Sequence, residues 1–197
     1  MKHLRPAIVL IAIFTALTGI LLPLAVTGAA MAIVPRRANG SLIERDGKVI
    51  GSALLGQEFT AARYFHGRPS ATTDTDPNDP TKTIPVPYDA NSSGGSNLGP
   101  TSKALIDRVK ADMAKLGVKG MVPADMVTTS ASGLDPDISP ADAELQVARV
   151  ATARKLPEET VRGLVEAHRR GRLLGIFGEP RVDVLALNLA LDSLSKR

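Results

Sequence analysis

The chain contains no cysteine and no tryptophan in its 197 residues. The first absence excludes disulfides, thiolate metal sites and cysteine-based catalysis. With aromatics at only 3%, the second argues against a platform on which single-stranded nucleic acid stacks. Histidine is scarce as well. His3, His66 and His168 lie far apart and fall in neither an H-x-x-x-H nor an H-E-x-x-H spacing, so they do not support a histidine metal centre. Acidic residues are missing altogether before Glu44. The net charge of +4 comes from Lys2, Arg5, Arg36 and Arg37, because from residue 38 onward basic and acidic residues balance at 20 each. The excess thus flanks one apolar segment, which is the pattern of a membrane protein rather than of a nucleic-acid binder.

What is present in that segment is AIVLIAIFTALTGILLPLAVTGAAMAIV, residues 7–34, without a charge. At about 1.5 Å rise per residue, roughly 20 residues cross a hydrocarbon core of ~30 Å, so the run spans a bilayer with some tilt. In lipid it must be helical to satisfy its own backbone. Pro23 predicts a kink. Gly19 and Gly28, with neighbouring threonines, give small faces that suit packing against other spans or simply belong to a lone anchor. A cleavable signal peptide is the rival reading, since Ala30-Met31-Ala32 has the form of a cleavage site. The apolar run is about twice the usual 7–15 residue signal core, which favours a retained anchor. The short basic N-terminus favours an inside start and an extracytoplasmic soluble domain, in the inner membrane of the cell.

Beyond the span the expected organisation is a tail at 1–6, a transmembrane helix at 7–34, a linker at 35–46 and a soluble domain at 47–197. GKVIGSALLG (47–56) reads as a strand, and 66–97 as a long polar loop. A helix is expected from about Pro100 to Leu116, with Gly117 as its cap. Ser139-Pro140-Ala141-Asp142 opens another helix, running to about Lys155. Pro157-Glu158-Glu159 opens a third, ending at Gly171. Arg172–Phe177 reads as a strand, and 182–194 as a leucine-rich helix. The fold class is therefore α/β (mixed α+β): a small soluble domain tethered by one N-terminal transmembrane helix.

Four stretches are weighed for chemistry. GGSNLGPT (94–101) approaches the phosphate-binding form G-x-x-x-x-G-K-[ST], but Pro100 replaces the lysine and no buried strand precedes it. Gly94, Gly95, Ser96 and Asn97 are the nucleotide candidates that survive, and a helix-entry turn is the plainer reading. DTDPND (74–79) begins like a calcium loop yet lacks the required Gly and Glu, so a solvated turn is expected. The arginines of 149–172 alternate with glutamates, as on a solvated helix face. TTSASG (128–133) has serines but no G-x-S-x-G elbow. No catalytic set emerges.

Taken in order, the N-terminal span, GSALLGQ (51–57), YFHGRPSA (64–71), SGGSNLGP (93–100), VTTSASGLDPDISP (127–140), QVARVATAR (146–154) and GEPRVDVLALNLALD (178–192) cover nearly the whole chain. Together they resemble the C subunit of Kdp-type high-affinity potassium-transporting ATPases. Asp137 stands where the resemblance leads one to expect His, Ala131 where Gly is common and Asp183 where Asn is common.

The resemblance implies a single-span, non-catalytic accessory subunit. Its partners would be a potassium-channel-like subunit and a P-type ATP-hydrolysing subunit of the same complex. The family role is assembly and stability, and also that of a catalytic chaperone raising the ATP affinity of the pump subunit. No cofactor is expected in this chain; ATP would enter through the partner subunit. An extracytoplasmic domain would meet no cytoplasmic ATP, so assembly is the role favoured over direct nucleotide contact. Arg68, Tyr88, Ser96 and Asn97 on the polar loops, and Gly19 and Gly28 in the span, are the candidate partner contacts. Two alternatives stay open: a tethered nucleotide-binding regulator using 94–101, and a secreted binding protein with its signal peptide removed.

Overall fold

The computed structural model describes residues 2–117 and 120–194. The outermost bounds of the expected tail and domain, at 1 and 197, lie outside the described residues. The chain divides into two compact units, Met1–Ser52 and Ala53–Arg197.

In the first unit a continuous helical rod runs over Leu4–Ile33, long and apolar enough to cross a membrane, with none of its side chains buried within the protein. It comprises α1 (Leu4–Ala16), a π-helical turn (Leu17–Leu21) and α2 (Leu22–Ile33). The anomaly predicted at Pro23 takes this form. Proline lacks an N–H and its ring crowds the carbonyl four residues back, at Gly19, and a widened π-turn accommodates both. Thr18 Oγ1 also donates to Phe14 O at 2.7 Å, satisfying its hydroxyl on the helix itself. A rod of 30 residues measures about 45 Å, enough for a hydrocarbon core of ~30 Å and part of the headgroup layers. A short α3 (Pro35–Ala38) leads into an antiparallel hairpin of β1 (Leu42–Arg45) and β2 (Lys48–Ser52). Ser52 Oγ donates to Gly40 O at 2.6 Å and ties the hairpin to that turn.

The second unit combines helices with small sheets. The polar stretch expected to be a loop contains a hairpin, β3 (Thr73–Asp76) paired antiparallel with β4 (Asp79–Pro85). It then lacks regular structure until α4 (Lys103–Leu116). That helix starts three residues after Pro100, because Pro100 and Thr101 form a turn ahead of Ser102. Gly117 closes it in the left-handed conformation, at φ 64°. A 3-10 turn, Ala124–Met126, follows at the start of the loop that leads to the strand at Asp137–Ile138.

A three-stranded sheet in the order β5 (Asp137–Ile138), β7 (Arg181–Asp183), β6 (Arg169–Arg170) packs with α5 (Pro140–Arg154), α6 (Glu158–Ala167) and α7 (Val184–Leu194). α5 starts as its sequence requires. Ser139 is extended, its Oγ accepts the Asp142 N–H at 3.0 Å, and Pro140 takes the first turn. α6 ends at Ala167 rather than Gly171, since Arg169 and Arg170 pair with β7. The core is formed by valines and alanines of α5, Val161 and Val165 of α6, Leu187 and Leu191 of α7, and Ile138 and Val182 of the sheet. One residue enters from far upstream: Phe65, with no exposed surface.

Candidate functional site

Phe65 belongs to YFHGRPSA, and the reason it sits in the core lies in two carboxamides. The Phe65 N–H donates to Asn188 Oδ1 at 2.8 Å, and Asn188 Nδ2 donates back to Phe65 O at 2.9 Å. One residue later Gln146 repeats the pattern, accepting the His66 N–H at 2.8 Å and donating to His66 O at 3.0 Å. Side chains of α7 and α5 thus supply what neighbouring strands would supply in a sheet, so the extended backbone crosses the interior without an orphaned polar group.

Gln146 is oriented in turn. Its Nε2 donates to Asp142 Oδ1 at 2.7 Å, which fixes which end of the amide faces His66. Asp142 is itself only 1% exposed, and burial pushes its carboxyl up to about 7, against the stabilising bond from Gln146. Behind it Asp125 accepts from both the N–H and the hydroxyl of Ser139, at 2.6 and 3.1 Å.

The remaining residues of the motif are engaged as well. The guanidinium carbons of Arg63 and Arg154 lie over the Tyr64 ring, 5.1 and 5.0 Å from its centre. Its hydroxyl donates to Asp192, which also accepts from Arg154 at 2.8 Å. Arg149 donates to Ala62 O and Tyr64 O at 2.7 and 2.9 Å. The expectation that the basic run is a solvated face therefore fails for Arg149 and Arg154, which reach inward to bind the 62–64 backbone; it holds for Arg162 and Arg169, which pair with glutamates at the surface.

Tyr88 lies across two glycines. A Cβ on Gly56 would stand 2.4 Å from its ring, and one on Gly67 2.3 Å from its hydroxyl, so neither position admits a side chain without displacing it. The hydroxyl donates to Arg68 O at 2.7 Å, and burial, with Asp135 next, pushes its pKa up to about 12. Arg68 reaches Asp135 at 3.1 Å and Thr129 O at 3.3 Å. Ser70 donates to Gly133 O at 2.8 Å and accepts from the N–H of Tyr88 at 3.0 Å.

The glycine loop joins the same assembly. The Gly94 N–H donates to Ser132 O at 2.9 Å, and Ser93 Oγ donates to the same carbonyl at 3.1 Å. Thr129 Oγ1 donates to Ser96 Oγ at 3.3 Å. A Cβ on Gly95 would lie 2.8 Å from Ala131 O, while Gly133, at φ 69°, has Gly94 O within 2.6 Å of its own Cβ position. Gly95 and Gly133 thus let one loop lie against TTSASG, with the N–H of Gly94 engaged inside the protein. Asn97 is exposed, in the left-handed conformation at φ 50°. In the acidic turn, Asp76 Oδ1 accepts the Asn78 N–H and Asp79 Oδ1 accepts from Thr81, so two of its carboxylates shape the β3–β4 turn. Gly19 and Gly28 lie in the helical rod, with open space at both Cβ positions.

An open cleft of about 900 Å³ runs between the 66–73 segment and α4. Arg68, Tyr88, Arg108, Asp112, Lys115 and Arg149 line it together with apolar side chains such as Phe59, Leu116 and Met126. The Nε atoms of Arg68 and Arg108 are buried there without a hydrogen-bond partner among the described residues.

Two of the three departures from the resemblance meet in space. Asp137 and Asp183 are register partners across β5 and β7. Like charges opposed in this way repel, and each has a counter-ion: Arg181 lies 2.9 Å from Asp137 and Arg170 3.3 Å from Asp183. Burial nevertheless raises the Asp137 carboxyl above its ordinary range. Sequence reading missed Asn188, Gln146 and Asp142. The signals in the chain were three polar residues on helix faces turned to the core, and the place of Gln146 and Asn188 in the runs QVARVATAR and GEPRVDVLALNLALD.

Comparison with known proteins agrees with this architecture. Residues 4–193 match the family model described as KdpC: K+-transporting ATPase, c chain. The chain is 64% identical over 195 residues to the potassium-transporting ATPase KdpC subunit of Bradyrhizobium diazoefficiens, covering 98% of this chain and 97% of that protein. It is 63% identical over 196 residues to the KdpC subunit of Rhodopseudomonas palustris, covering 98% of each. It is also 60% identical over 200 residues to that of Methylorubrum populi, with full coverage of both. An N-terminal membrane-length helix, a small α/β unit organised around YFHGRPSA, and matches along nearly the whole chain lead to one conclusion: the protein belongs to the KdpC family, the C chain of K+-transporting ATPases.

Proposed function

We propose that this chain is a non-catalytic, single-span subunit that holds a potassium pump together, with its second unit on the extracytoplasmic side against a potassium-channel-like subunit. ATP hydrolysis takes place in a separate P-type subunit. The observation that carries this reading is the internal use of the motif residues. Tyr64, Phe65, Arg68, Ser70, Tyr88 and Gly94 direct their polar groups at the chain's own backbone and side chains. Such an arrangement supports a rigid scaffold rather than a reacting centre. In this reading Gly19 and Gly28 are contact points for neighbouring spans. Ser96 and Asn97 form the accessible edge of the glycine loop. Arg68 and Tyr88 act from the wall of the cleft against a partner segment.

Any effect on ATP affinity is then transmitted through the assembled complex. Deleting the chain from an otherwise intact pump is expected to abolish ATP-driven potassium uptake, and uptake at the undeleted level would refute the proposal. Protease accessibility in intact cells fixes the side of the membrane: cleavage of the second unit by externally added protease in opened outer envelopes is expected, and full protection there would place it in the cytoplasm.

A further inference from the structure

The segment expected to be a strand, Arg172–Phe177, is instead a projecting turn. Residues 171–179 are exposed without interruption. Four of them are large and apolar: Leu173 at 68% exposure, Leu174 at 81%, Ile176 at 73% and Phe177 at 61%. No other stretch of the described second unit presents such a cluster to solvent; its remaining exposed large apolar residues are scattered. Scattered exposed apolar residues are ordinary on a protein surface, whereas a contiguous group marks an interaction site.

The turn is also held in shape. The Leu173 N–H donates to Phe177 O at 2.8 Å and the Phe177 N–H returns to Leu173 O at 3.0 Å. The Gly175 and Ile176 N–H groups donate to Arg172 O and Leu173 O inside it. Leu174 takes the left-handed conformation at φ 54°, which a leucine rarely adopts. At the base, Arg172 pairs with Glu179 at 2.7 Å. The flanking strands β6 and β7 are in register, and β7 leads directly into α7 in the core. A strained, exposed, apolar turn on a rigid base is a feature whose function is to be sought in what covers it.

The charges around it select the occupant. Arg169, Arg170, Arg172 and Arg181 surround the turn, and each already has an acid of this chain: Glu166, Asp183, Glu179 and Asp137. The collar is therefore electrically neutral. Attachment to a lipid surface draws on cations left over for anionic headgroups, which this collar lacks. An apolar centre within a balanced polar rim is instead the anatomy of a protein interface, with a few large side chains seated in a pocket. We infer that the 173–177 turn is a preformed plug that seats in an apolar pocket of another subunit of the transporter, bordered by polar groups of both signs. This rests on the reading of the chain as an assembly subunit.

The test uses the full chain co-expressed with the remaining subunits of its complex. The double variant Leu174→Asn, Phe177→Gln removes the apolar tip, and Asn is at ease at the φ of residue 174. Recovery of the partner subunits on this chain is expected to fall at least tenfold, with the melting temperature of the purified variant chain unchanged. Met121→Asp, which alters an apolar residue that is 98% exposed elsewhere, is expected to leave recovery unchanged. A benzoylphenylalanine at position 177 is expected to crosslink to a partner polypeptide. Crosslinks only to lipid, or to a second copy of this chain, would overturn the plug, as would undiminished recovery of partners on the double variant. If the unaltered chain recovers no partner subunit at all, it is the assembly reading that fails.

Discussion

Two stretches of this protein carry bulky side chains between glycines and arginines, and they do opposite things with them. In 64–72, Phe65 is fully buried, and Tyr64, Phe65, His66, Arg68 and Ser70 each have a hydrogen-bond partner on α5, α7 or the 129–135 loop. In 171–179 every residue is exposed, the backbone hydrogen bonds of the turn close within 172–177, and the Arg172 and Glu179 side chains pair at its base. The difference is not one of composition. An extended backbone enters a core only when partners for its N–H and C=O groups await it there, and Asn188 and Gln146 provide them for one stretch. The other has a closed turn and no such partners, so its apolar side chains stay outside.

The comparison can be broken most severely at the two phenylalanines. Phe65→Ala is expected to cost about 3–5 kcal/mol of unfolding free energy, as for a large core side chain. Phe177→Ala should change it by no more than roughly 0.5 kcal/mol. Denaturant titration of the two variants in detergent checks both, and equal effects would erase the distinction.

Next in size is Asp142. Its carboxyl is raised by burial to about 7, so the folded protein holds the proton more tightly than the unfolded chain does. The stability this gives is fully present below the ordinary aspartate range and is lost as pH rises from about 4 through 7. Asp142→Asn keeps an acceptor for Gln146 and cannot ionise. It is expected to remove that decline and to raise stability at pH 8 by on the order of 3 kcal/mol. A melting series from pH 4 to 8 reads it, and parallel curves for the two proteins would show that Asp142 is charged throughout.

Asn188→Ala should follow, at about 2–3 kcal/mol, because it strands the Phe65 N–H and carbonyl in the interior. Hydrogen exchange at Phe65 is the sharper probe: its amide should lose protection while amides in the middle of α6 keep theirs. The smallest effect is expected at the opposed acids. Asp183→Asn relieves their repulsion but weakens the pair with Arg170, for a net change within about 1 kcal/mol in a thermal melt.

Local signals reached far along this chain. The span, the capped start of α5 at Ser139-Pro140 and the Gly117 stop of α4 were legible because each depends on residues within a turn of one another. The β3–β4 hairpin was not. Its strands TDTD and DPTKTIP show no apolar alternation, since both faces are largely exposed, and hydropathy then reads them as loop. The 172–177 run misled in the opposite direction: its leucines, isoleucine and phenylalanine look like a buried strand, but Gly175 and the left-handed Leu174 fold it back on itself. Gly94 and Gly95 were visible as a glycine loop, whereas the carbonyls they approach lie in a segment more than thirty residues away.

By itself, the sequence determined that a membrane-length helix precedes a cysteine-free mixed α/β unit, and its ordered motifs determined the family. Tertiary structure alone decided that Phe65 meets Asn188, that His66 meets Gln146 over Asp142, and that the arginines of α5 turn inward while an apolar turn stays out. The physical reason is range. Helix caps and apolar runs act within a few residues, but the partner of a buried backbone group or charge is chosen by whichever distant element folding brings within about 3 Å of it.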